Sequence, residues 1–127
     1  MHSLEIMLKR IPGVDYESAI ERMSDNTAFY VELLRLFFKD NPFKKLVELY
    51  DNGDYANAIY EAHSIKGTAA NLGLVEIAQI ASDIHLNLKR EDTVQVEVML
   101  NELEKACLPI ISFIDQLDGG ITDESAC

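Results

Sequence analysis

Three residues in the stretch Glu61–Gly73, EAHSIKGTAANLG, have types and spacing that suit joint chemistry: His63, Lys66 and Gly67. A neutral imidazole is a nucleophile near physiological pH. A lysine one turn further on puts positive charge where transferred oxygens would carry negative charge. Gly67 has no side chain, and in mid-helix that costs roughly 0.8–1 kcal/mol relative to alanine. With Gly67 one turn and Ala70 two turns beyond His63, the surface beside the ring is bare and open to a bulky reactant. Imidazole, cation and bare backbone together suit a phosphoryl group, whose transfer depends more on positioning than on covalent machinery.

Two other readings stand beside this one. His63 and His85 on facing helices, with Asp83 nearby in sequence, offer donors for zinc. Against it, Asp83 is two residues from His85 and projects elsewhere on a helix. Glu61 and His63 also lack the Glu-x-x-His spacing of di-iron bundles, and Lys66 opposes a cation. A helical interaction module without phosphate chemistry explains the helices but leaves the His63, Lys66, Gly67 constellation without a purpose.

The elements that must hold these residues read as helices throughout. On a helical wheel Ala58, Ala62, Ile65, Ala69 and Leu72 form one apolar stripe, which is the core face. His63, Lys66, Gly67 and Ala70 form a second stripe, roughly 100–140° around, so the imidazole faces solvent. Asp15 is an N-cap candidate at the end of IPGVD, and SDNT (Ser24–Thr27) offers further capping residues. Pro42 suits a first helical turn. Gly53 and Gly73 close helices, and Asp54 caps the next one. Pro109 is expected to kink the last helix. Long amphipathic helices joined by short loops predict an all-α, antiparallel up-and-down four-helix bundle, with a short extra N-terminal helix over Tyr16–Met23 packed across an end. Residues 1–10 read as an N-terminal extension or linker, 11–118 as the bundle and 119–127 as a disordered tail.

A net charge of −11, from 22 acidic and 11 basic residues, argues against a nucleic-acid partner, because phosphate backbones demand a basic surface. No apolar run is long enough to span a bilayer, and the opening residues lack the regions of a signal peptide. A cytoplasmic monomer is the expectation. Cys107 and Cys127 form no C-x-x-C pair, so free thiols are expected rather than zinc or redox chemistry. No glycine-rich phosphate loop for ATP appears.

AHSIKGTAANLGL resembles the signature of the histidine-containing phosphotransfer (HPt) family of bacterial two-component phosphorelays, roughly His-Ser-x-Lys-Gly-x-x-x-x-Leu-Gly. His63, Ser64, Lys66, Gly67, Leu72 and Gly73 match it. IPGVDYESAIERM, followed by YVELLRLFF, resembles the start of such domains in hybrid sensor histidine kinases, and the likeness covers about Ile11 to Leu117. The resemblance implies that His63 is the phosphoacceptor, taking a phosphoryl group from a receiver domain's aspartyl phosphate and passing it to another receiver. Lys66 would then be the electrostatic helper, and Gly67 would permit close approach. It implies no cofactor on this chain, since the response-regulator receiver supplies the Mg²⁺, and docking through a patch that includes Ile59, Ser64, Ala70, Asn71 and Leu74. Where many members carry Glu or Gln 22 residues after the active histidine, this chain has His85. Counting from a turn at Gly73, His63 and His85 fall at similar heights on an antiparallel hairpin. Neutral His85 is therefore expected to accept a hydrogen bond from Nδ1–H of His63.

Overall fold

The structure, a computed structural model, describes the backbone of residues 2–39 and 41–126 and the side chains of residues 4–39 and 41–118. Among the described residues there are seven helices and no strand: α1 (His2–Arg10), α2 (Tyr16–Arg22), α3 (Thr27–Lys39), α4 (Pro42–Asp51), α5 (Tyr55–Asn71), α6 (Val75–Lys89) and α7 (Thr93–Ala126). Capping chemistry starts several of them. The side chains of Asp15, Asn26, Asp54 and Asp92 each accept a backbone N–H three residues on, which satisfies donors the helix itself leaves unpaired.

The all-α bundle has four members: α3 continued by α4, then α5, α6 and α7. α4 lies against α5, α5 against α6, α6 against α7, and α3 and α4 each meet α7 to close the ring. The first member is broken at Asn41. Its φ of 47° leaves the helical region, and its side chain accepts the Lys44 N–H at 3.0 Å to start α4 with Pro42 in the first turn. The core runs through Leu34, Leu46, Ile65, Ile77, Ile84, Leu103 and Ile110, all essentially inaccessible. On the inner face of α5 the small side chains Ala58, Ala62 and Ala69 let α6 approach closely.

The α5–α6 turn positions the candidate site, and it is sealed from one end. Gly73 has φ +74°, a left-handed conformation natural to glycine. Its carbonyl accepts the Asp15 N–H at 2.7 Å. The buried Tyr30 hydroxyl donates to the Leu72 carbonyl at 2.6 Å. The Arg22 guanidinium donates to the carbonyls of Ala70 and Asn71 at 3.2 and 2.9 Å. The last carbonyls of α5, which no further helical turn could satisfy, thus find partners on α2 and α3. α2 is the short helix expected across an end.

Two expectations need correction. In the stretch expected as an extension or linker, residues 2–10 form helix α1, and Leu8 is fully buried, so it packs as part of the fold rather than running free as a linker. Leu4, Met7, Leu8 and Ile11 follow i, i+3, i+4, i+7 spacing and pack onto the core. α7 is one helix through Pro109 and keeps its helical backbone as far as Ala126, across the expected tail. A helix already nucleated extends at little further cost. Cys127 lies outside the described residues. No helix of the described residues is long and apolar enough to cross a membrane.

Candidate functional site

The wheel of α5 is realised as its spacing dictates. Ala58, Ala62, Ile65, Ala69 and Leu72 are buried, while His63, Ser64, Lys66, Gly67, Ala70 and Asn71 are exposed. His63 therefore stands on the outside of the bundle. A Cβ at Gly67 would meet nothing within 4 Å, so the glycine is not there to let another helix pack. Among the described residues Lys66 has no carboxylate within ion-pair distance, and its ammonium is available to an incoming anion.

His85 projects from α6 toward the same spot. The two imidazoles have ring centroids 5.3 Å apart and planes tilted by 44°. They meet because His63 lies ten residues before Gly73 and His85 twelve after it, at 1.5 Å of rise each. The contact is ring against ring; among the described residues no hydrogen bond joins them. His85 is partly buried, and burial is the main reason its pKa lies below the ordinary 6.5. The nearby charges of Lys89, His63 and Lys66 push the same way. His85 is therefore neutral at pH 7, with a ring nitrogen free to accept a proton or hydrogen bond.

Of the residues expected in a docking patch, Ser64, Ala70 and Asn71 are exposed beside the imidazole, and Ile59 is half-buried against the core. Leu74 is a correction: it is 0% exposed. The left-handed turn at Gly73 ends the wheel of α5, and Leu74, as the N-cap residue of α6, points inward. The sequence reading missed Tyr60. It is 72% exposed and lies three residues before His63 and seven before Gly67, on the same face. The available signal was an aromatic residue outside the apolar stripe of α5. Asp83 accepts a hydrogen bond from the Gln79 amide at 3.1 Å. The described residues contain no group of three or more side chains suited to a metal, so the three-donor zinc reading is not assembled. Cys107 is buried, and burial pushes its thiol up to about 12, which leaves it protonated and unreactive.

The open space at Gly67 gives stability and reactivity opposite signs. Gly67→Ala should raise stability by about 0.5–1 kcal/mol, read by thermal or denaturant unfolding. Gly67→Leu should fold equally well, yet slow reaction of His63 with a protein partner by about tenfold or more, because a side chain there stands between the ring and anything large.

A family model described as Hpt domain matches residues 32–118, most of the chain, with His63, Lys66, Gly67 and His85 all inside the matched span. Neither the curated proteins nor the solved structures compared with the chain give a match.

Proposed function

Because this chain belongs to the Hpt domain family, whose members carry out histidine phosphotransfer in phosphorelays and interact with receiver domains of response regulators, we propose that His63 is its phosphoacceptor, loaded by one receiver and unloaded by another. The observation that carries this reading is the exposed imidazole flanked by a lysine with no ion-pair partner among the described residues and by the open surface over Gly67. A ring nitrogen of His63 attacks the phosphorus of a receiver's aspartyl phosphate. The N–P bond forms as the bond from phosphorus to the aspartyl oxygen breaks, and the carboxylate leaves with the electron pair. The reverse exchange hands the group to the second receiver. Lys66 balances charge on the phosphoryl oxygens. The receiver brings the Mg²⁺, and Tyr60, Ser64, Ala70 and Asn71 form the face that meets it. The setting is a cytoplasmic relay, and the likeness of Ile11–Met23 to hybrid-kinase segments supports a module of such a kinase.

His85 acts through His63 as a positioning residue. With its own ring neutral, it accepts Nδ1–H of His63 when the imidazole turns toward it, which leaves Nε2 as the nucleophile. The decisive experiment is transfer from a phosphorylated receiver, followed by mass spectrometry at alkaline pH. One phosphoryl group on His63 is the expected result; label on another side chain refutes the assignment.

The depressed pKa of His85 also sets a stability window. The unfolded chain takes up the proton at the ordinary value of 6.5, before the folded one does. The contribution is therefore fully present above that pH and is lost as pH falls through it toward the folded value. His85→Gln, which does not titrate, should show a flatter loss of melting temperature between about pH 7 and pH 5 than the natural chain. Parallel curves would remove His85 from the acid response.

A further inference from the structure

We propose that the His63–His85 pair is also a reversible two-donor site for a divalent transition-metal ion of the zinc class, and that this ion competes with the phosphoryl group for His63. Two nitrogens held about 2.0–2.1 Å from one tetrahedral zinc lie roughly 3.4 Å apart. Two imidazoles with centroids 5.3 Å apart reach that span by turning one nitrogen each into the gap. The donors come from two different helices fixed by one short, sealed turn, so little chain entropy opposes their convergence.

Imidazole is the nitrogen donor such ions prefer, and it binds only when neutral. The gap opens on the exposed His63, so water can fill the remaining coordination positions. Lys66 and Lys89 lie close enough to influence His85 electrostatically, and their charge weakens the site. The net charge of −11 acts in the opposite sense over a longer range. The balance is a loosely held, exchangeable ion. Once coordinated, the His63 ring donates electron density to the metal and no longer turns its Nδ1–H to His85. The same ring is then a poor nucleophile. The competition half of this proposal rests on His63 being the phosphoacceptor; the binding half does not.

The test titrates Zn²⁺ against a chromophoric chelator, using the full chain with His2→Ala and Cys127→Ser so that donors elsewhere do not report. The parent protein should take up one Zn²⁺. Adding His63→Ala or His85→Ala should weaken binding by about tenfold or more each, and His85→Gln should do the same with the helix surface preserved. Unchanged affinity on removing either histidine overturns the site. In a second arm, a small phosphoramidate donor loads the parent protein with and without Zn²⁺. Slower loading with Zn²⁺ is expected, and equal rates at saturating Zn²⁺ overturn the competition. Failure to load under any condition refutes the phosphoacceptor reading instead, and leaves the titration to decide the metal site on its own.

Discussion

His63→Gln should abolish phosphoryl acceptance while leaving the fold intact. Glutamine is a good helix former, and the imidazole it replaces is exposed, without a hydrogen bond among the described residues. Stability should therefore move by no more than about 0.5 kcal/mol. The rate of loading from a phosphorylated receiver should fall by on the order of a thousandfold or more, because no other group at the site has a nucleophilic lone pair in the same place. Rapid-quench measurement of labelled protein checks the rate, and thermal unfolding checks the fold. Appreciable label on the variant would mean that His85 or another residue accepts the group. Lys66→Ala makes a useful companion, since it removes the charge and keeps the nucleophile.

The largest effect on stability should come from Gly73→Ala, ten residues from the imidazole. At φ +74° an L residue is strained by roughly 1–2 kcal/mol. The added Cβ would also overlap the Asp15 carbonyl oxygen and press on the Ala19 methyl at 3.0 Å. Neither neighbour can yield easily: Asp15 caps α2 and donates its N–H to the Gly73 carbonyl, and Ala19 is fully buried. Strain and overlap together should cost about 3 kcal/mol, which for a domain of this size lowers the melting temperature by roughly 10 °C. Calorimetry checks this directly. Gly67→Ala, within α5, should shift stability the other way, so the pair separates a glycine kept for backbone conformation from one kept for access.

Much of this was legible in the sequence because it depends on helical periodicity. The stripe Ala58, Ala62, Ile65, Ala69, Leu72 placed His63, Lys66 and Gly67 on the solvent side, and the structure places them there. Counting from Gly73 brought His63 and His85 to one height, and their rings do meet. Where periodicity ends, the reading failed. Leu74 entered the docking patch through the family resemblance, and the left-handed turn at Gly73, which resets which way side chains point, buries it instead. The extension or linker expected over residues 1–10 is a nine-residue helix, too short for its spacing to stand out. Tyr60 went unnoticed because a single exposed aromatic leaves no periodic trace. Arg22 and Tyr30, which hold the end of α5, were invisible for a different reason: each bonds a carbonyl more than 40 residues away, and no local pattern encodes such a partner.

The collar around the α5–α6 bend lies largely ahead of the span by which the chain is classified. The family-model match begins at residue 32, and Asp15, Arg22 and Tyr30 clasp the carbonyls of Ala70, Asn71, Leu72 and Gly73 from upstream of it. The reactive ring and the masonry that steadies it thus fall on opposite sides of that border. A graft of the recognisable portion alone would transplant both histidines and leave their keystone behind.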